Sequence, residues 1–134
     1  LVGSPITRVT ATSLGRSPAL AQRDDKATLT LEFADGSLGH VHYLANGSKA
    51  FPKERLEVFV AGRVAQIDNF RILRGFGWPG LKNLRLWRQD KGHAACLQAF
   101  LYAISSGQPG PIPYPELLEV SRVCLEAAQQ LAAQ

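Results

Sequence analysis

The hydrophobic period of this chain changes once, near Asp90, and that change limits the folds open to it. Before Asp90, apolar residues alternate with polar ones. After it they recur at three- and four-residue spacing. Alternation places side chains on opposite faces of a strand, whereas helical spacing gathers them into one stripe. A run of strands followed by helices predicts an α+β fold.

The strand half is detailed enough to fix a register. "ITRVTAT" (6–12) is rich in β-branched residues and reads as a strand. "SLGRSPALAQRDDK" reads as a loop, and "ATLTLEF" (27–33) as a second strand. Asp35-Gly36 is a hairpin signal. A two-residue turn would pair Leu31 with His40. A three-residue loop, Ala34-Asp35-Gly36 with Gly36 left-handed, moves the register by one. Leu29 and Leu31 then share a face with Val41, Gly39 and Tyr43, and Thr28 and Thr30 share the other with His42 and His40. The second register buries like with like and is preferred. "LANGSKAFPKE" reads as a loop, "RLEVFVAG" as a strand, and "RVAQIDNFRIL" as one or two more. A glycine-rich turn region, "RGFGWPG", leads to a final strand in "LKNLRLWRQ".

In the helical half, Asp90 is placed to cap a helix. Leu97, Phe100, Leu101 and Ile104 form its stripe, and Gly107 ends it. Pro115 suits the first turn of a second helix, with Leu117, Val120, Cys124, Ala127 and Leu131 as its stripe. The expected architecture is an open, predominantly antiparallel β-sheet with both C-terminal helices packed on one face. Its uncovered face would carry Thr28, Thr30, His40, His42, Phe59 and Trp87, open to solvent, a ligand or a second subunit.

A chain of 134 residues suits one domain, 1–134. No apolar run reaches the roughly 18 residues of a membrane span, and "LVGSPITRV" lacks the marks of a signal peptide, so a cytoplasmic protein without a membrane partner is expected. The absence of Met suggests a fragment of a longer protein. Net charge is +4 with 19% charged residues, a small excess that favours a solvated basic surface over a nucleic-acid partner. Cys96 and Cys124 fall on the two helices, where buried free thiols are expected and a helix-to-helix bridge stays open.

Chemistry-bearing motifs are few. GxxxxGK[ST], HExxH and GxSxG are absent, and the GxGxxG string at 75–80 leads to a strand rather than opening a helix, so it does not read as a phosphate-cradling loop. His40 and His42 read as surface or interface groups rather than metal ligands, and no metal site is expected. Glu54, Glu57 and Asp68 read as ordinary solvated positions. Arg71, Arg74, Lys82, Arg85, Arg88 and Lys91 crowd one stretch with Trp78 and Trp87 between them, which reads equally as an anion-binding surface or a solvated sheet edge.

Together, "LTLEFADGSLGHVHYLANG", "FPKERLEVF", "GRVAQIDNFR" and "LWRQDKGHAACLQAFLYAISSGQPGPIPYPELLEVSRVCLEAA" resemble the C-terminal domain of the Gfo/Idh/MocA oxidoreductases, in particular members described as bi-domain oxidoreductases or dehydrogenase-related proteins. "FPKERLEVFVAGRVAQIDNFR" and "DKGH" carry most of the resemblance. It implies a domain that follows an NAD- or NADP-binding Rossmann domain, lines the cleft for a sugar, polyol or nucleotide sugar, and forms a homodimer through its exposed sheet face. The family's dinucleotide fingerprint at the opening of a helix, its Glu-Lys-Pro segment and its catalytic Asp and His match nothing here. The resemblance therefore implies no catalytic residue and no cofactor bound by this chain, with NAD or NADP in the parent protein. Lys49, Lys53, Arg55 and His93 are its candidates for the substrate cleft or its supporting shell. A non-catalytic binding or assembly module of the same fold is the alternative.

Overall fold

The computed structural model describes residues 1–15 and 25–134. The loop expected between the first two strands runs through 16–24, outside the described residues. Among the described residues seven strands precede two helices: β1 (Ile6–Ser13), β2 (Lys26–Phe33), β3 (Leu38–Leu44), β4 (Arg55–Val60), β5 (Arg63–Asp68), β6 (Ile72–Phe76), β7 (Leu84–Arg85), α1 (His93–Ser106) and α2 (Tyr114–Ala132). All strand pairs are antiparallel, so the α+β class stands. The strands form two sheets rather than one, in the orders β1-β2-β3 and β4-β5-β6-β7. The break falls in the 45–54 connection, where Asn46-Gly47 and Pro52 interrupt strand pairing. The chain divides into two compact units, Leu1–Gly47 with Ile112–Gln134, and Ser48–Pro111.

In the first unit the hairpin takes the three-residue register. Leu29 pairs with Val41, Leu31 with Gly39, Thr28 with His42 and Thr30 with His40. Phe33 N–H donates to Ser37 O (3.0 Å) across the loop, and Gly36 has φ 84°. A glycine adopts that left-handed backbone without a Cβ penalty. Asp35 Oδ1 accepts from Ser37 N–H at 2.9 Å, which stabilises the turn.

The core of this unit is Val9 and Ala11 of β1 against Val123 and Ala127 of α2, with Ile6, Leu29, Leu31 and Leu131 around it. Full burial of a valine stabilises by about 1.5–3 kcal/mol relative to exposure. The packed helix face keeps Ala127 and Leu131 of the expected stripe and departs from it elsewhere. Val123 and Ala127 are buried, whereas Leu117, Val120 and Cys124 are exposed. The reason lies at the sheet edge. β1 has no strand on its outer side, and polar side chains of α2 satisfy its backbone instead. Gln130 accepts from Ala11 N–H (2.7 Å) and donates to Val9 O (2.9 Å). Gln134 accepts from Ser13 N–H (2.9 Å) and donates to Ala11 O (2.7 Å). Glu119 accepts from Ile6 N–H, and Arg122 donates to Ile6 O. Four helical residues rise about 6 Å and two strand residues about 6.6 Å, so an i, i+4 pair keeps step with alternate strand residues.

The second unit is a strand meander followed by α1. Ala61-Gly62, both with positive φ, close the β4–β5 hairpin in two residues. Gly75 lets the chain pass under Leu81: a Cβ there would lie 2.4 Å from Leu81 Cδ2. α1 ends at Gly107 in the left-handed conformation, as expected. Its stripe does not pack on a sheet face as anticipated. Leu97, Phe100, Leu101 and Ile104 are all more than half exposed, and Ala103 is the buried position. Cys96 and Cys124 are both free and exposed, contrary to the expected burial, because each lies off its helix's buried positions.

Candidate functional site

In the second unit the β5–β6 turn, the start of β4 and the segment entering α1 converge on one polar cluster. The turn residues Asn69 and Phe70 have φ 51° and 48°. A left-handed asparagine is common, but a left-handed phenylalanine is strained and must be held. Asn69 N–H donates to Glu54 O (2.6 Å), Asp90 N–H to Phe70 O (3.1 Å), and Arg71 Nε to Leu86 O (3.0 Å). Gln89 Nε2 donates to Asn69 Oδ1 (2.9 Å) and Glu54 Oε2 (3.4 Å), while Lys91 pairs with Glu54 Oε1. Asp90 Oδ1 then accepts from Gly92 N–H at 2.8 Å, one residue before α1 begins. Beside the turn lies a pocket of about 190 Å³ lined by Ile67, Phe70, Ile72, Leu73 and Leu84, with Arg71 and Asp90 at its polar margin.

Electrostatics follow from this packing. The Lys91 hydrogen bond holds the Glu54 carboxyl below its ordinary range, with further help from Gln89 and the Lys53 charge, against some desolvation. Glu57 is also lowered, first by the hydrogen bond from Gln66 and then by that from Arg55.

The four sequence candidates stand differently to this cluster. Lys53 and Arg55 flank Glu54 in the chain, and His93, the first residue of α1, lies two residues beyond Lys91. Arg55 is committed to Glu57 at 2.8 Å. Lys49, Lys53 and His93 are exposed, with no side-chain hydrogen bond or ion pair among the described residues. Lys49 sits in the 45–54 connection. Sequence reading missed Glu54, Asn69 and Gln89. Their contacts join residues 15 to 37 apart, and only the Asn in a turn-prone Asp-Asn pair hinted at a left-handed position.

The basic stretch does not act as one surface. Arg71 and Arg74 are engaged by Leu86 O and Gln66 Oε1, and Lys91 by Glu54. Trp78 stacks under Arg63 at 5.4 Å, while Trp87 is 87% exposed. On the first sheet, Thr28 and Thr30 bond His42 Nδ1 (3.1 Å) and His40 Nδ1 (3.3 Å), on the face opposite α2. Among the described residues no group of three or more His, Cys, Asp or Glu is placed to hold a metal ion. Nor is any helix there long and apolar enough to cross a membrane.

This α+β arrangement is a known one. The chain superimposes with a TM-score of 0.69 on UDP-N-acetylglucosamine 3-dehydrogenase GnnA from Acidithiobacillus ferrooxidans, at 19% identity. The match covers 98% of this chain and 44% of that enzyme, so the chain spans less than half of its structural neighbour. The two share a fold over that region. No family model matches the chain, and no curated protein does.

Proposed function

We propose that this chain is the C-terminal substrate-binding and dimerisation domain of an NAD(P)-dependent oxidoreductase of the Gfo/Idh/MocA type. The observation that carries it is the shared fold over nearly the whole chain with part of a sugar-nucleotide dehydrogenase, itself of that type. Motifs such as "FPKERLEVF" and "DKGH" support the same assignment.

The substrate is a sugar, polyol or nucleotide sugar, and the reaction moves a hydride between a substrate carbon and the nicotinamide. Among the described residues no glycine-rich turn leads into a helix, the glycines of 75–80 being followed by β7, so on this reading a pyrophosphate has no seat there and the cofactor belongs to a Rossmann domain of the parent. Lys49, Lys53 and His93 offer uncommitted polar ends to an anionic or hydroxyl-rich substrate. Arg55 serves as support, held by Glu57. A second copy meets the Thr-His face of the first sheet. The protein works in the cytoplasm, with no nucleic-acid or membrane partner.

The test is hydride transfer by the whole gene product, followed by reduced-nicotinamide absorbance with UDP-sugars, free sugars and polyols. Turnover with one class, and a raised KM in Lys53→Ala and His93→Ala, is the expected result. No turnover with any class leaves the non-catalytic module of the same fold. Micromolar NAD or NADP binding to this chain alone, seen by calorimetry, would overturn the assignment of the cofactor to another domain.

A further inference from the structure

Strand edges with unpaired backbone groups invite pairing, and folded chains blunt them with charge, proline, shortness or a cover. Among the described residues three of the four sheet edges are blunted. The amides of Gln130 and Gln134, with Glu119 and Arg122, cover β1. β4 carries charged Arg55 and Glu57, and β7 is two residues long. β3, LGHVHYL, has none of these devices: seven residues with no Lys, Arg, Asp, Glu or Pro, and no register shift against β2. Leu38, Val41, Tyr43 and Leu44 are 64%, 45%, 59% and 55% exposed.

The hydrogen-bond phase shows which backbone groups are open. Phe33 N–H donates to Ser37 O at one end of the β2–β3 ladder, and Ala45 N–H donates to Asp25 O at the other. Bonded and non-bonded pairs alternate along an antiparallel ladder. Gly39, Val41 and Tyr43 therefore direct N–H and C=O toward β2. Leu38, His40, His42 and Leu44 direct theirs outward.

We propose that the outer edge of β3 pairs antiparallel with β3 of a second copy, about a two-fold axis at Val41. That register alone matches all four outward residues with outward residues: Leu38 with the partner's Leu44, and His40 with the partner's His42. On the other face Val41 meets the partner's Val41, and Gly39 receives the partner's Tyr43, an aromatic ring over a glycine. The strand has no fixed charge, so no like-charge pair opposes the contact. This edge contact is separate from the dimer proposed through the Thr-His face, and both together would give an assembly larger than a dimer.

The experiment is sedimentation of the full chain and three variants. His42→Pro removes an outward N–H while sparing the β2–β3 ladder, and His42→Ala controls for the side chain. Each two-fold contact loses two hydrogen bonds, so His42→Pro should raise the dissociation constant about ten-fold or more over that of His42→Ala, which loses the same side chain from the Thr-His face but keeps the N–H. Thr10→Glu, on the Thr-His face of β1, reports the face contact alone. Should His42→Pro fail to fold, a Val41→Cys variant lacking Cys96 and Cys124 decides: non-bonded partners have Cα atoms about 4.5 Å apart, within disulfide reach. Oxidation to a covalent dimer is expected. A monomeric wild type across the micromolar range, a His42→Pro protein that assembles like His42→Ala, or a Val41→Cys protein that stays monomeric would each overturn the edge pairing. Insensitivity to Thr10→Glu alone counts only against the face contact.

Discussion

Gly75 and Glu54 show how single residues carry the second unit. The Cβ that Gly75 lacks would also lie 3.0 Å from Leu81 Cγ and 3.3 Å from its Cβ, so rotating a methyl group away does not suffice. Gly75→Ala should cost about 1–3 kcal/mol, the usual range for overpacking. Leu81→Ala in the same chain should recover most of that loss, and chemical denaturation of the four-membered cycle measures the coupling. Glu54 tests the polar cluster. Its folded pKa is lowered, so the Lys91 contact stabilises above the ordinary carboxylate range and is lost as pH falls through the lowered value. Carboxyl-carbon NMR should find Glu54 titrating below the ordinary value of about 4.3 in wild type and close to it in Lys91→Met. A wild-type Glu54 midpoint equal to that of Lys91→Met would remove the electrostatic account. Neither residue was legible in the sequence. Gly75 reads as one of several glycines in a turn-rich stretch, and Glu54 as one carboxylate among many, because the groups that give each its meaning are distant in the chain.

At the scale of elements, α2 separates what periodicity tells from what it omits. Strand alternation identified the β2–β3 register because both faces of that hairpin are chemically distinct, Leu and Val against Thr and His. Helical spacing located α2 and its Pro115 start and placed Ala127 and Leu131 on the packed face, but missed Val123 and wrongly included Leu117, Val120 and Cys124. Apolarity marks the face that avoids water, whereas α2 lies against a strand edge whose backbone demands donors and acceptors. Gln130 and Gln134, which look like solvated positions, meet that demand. Gln130→Ala should therefore cost about 1–3 kcal/mol by stripping partners from Val9 O and Ala11 N–H. Gln130→Glu should cost at least as much, since a carboxylate keeps the acceptor but turns a negative oxygen toward Val9 O. Thermal unfolding monitored by circular dichroism compares them. Equal stability of Gln130→Ala and wild type would mean water replaces the amide without loss.

For the whole molecule, the two units differ in how much they bury. Val9, Ala11, Ala27, Val123 and Ala127, all in the first unit, are under a tenth exposed, whereas Ala103 alone reaches that level in the second among the described residues. The sequence could not foresee this, because a strand run without a clear domain boundary reads as one sheet. Opening free energy follows buried apolar contact, so the two units should exchange backbone hydrogens at different rates. Amides in the β1–β2 ladder, such as Val9, Leu29 and Leu31, are expected to be the slowest. Those of β6, β7 and α1 should be labelled first, the exposed stripe of Leu97, Phe100, Leu101 and Ile104 giving α1 little to hold it shut. The order is also informative about function. If the β5–β6 turn is a substrate site, a sugar nucleotide added to the whole gene product should slow exchange at Asn69, Phe70 and Asp90 while leaving the β1–β2 ladder unchanged. Equal exchange across both units would show that the second unit is held by more than its own core. Ligand protection confined to the first unit would move the candidate site away from Glu54 and Lys91.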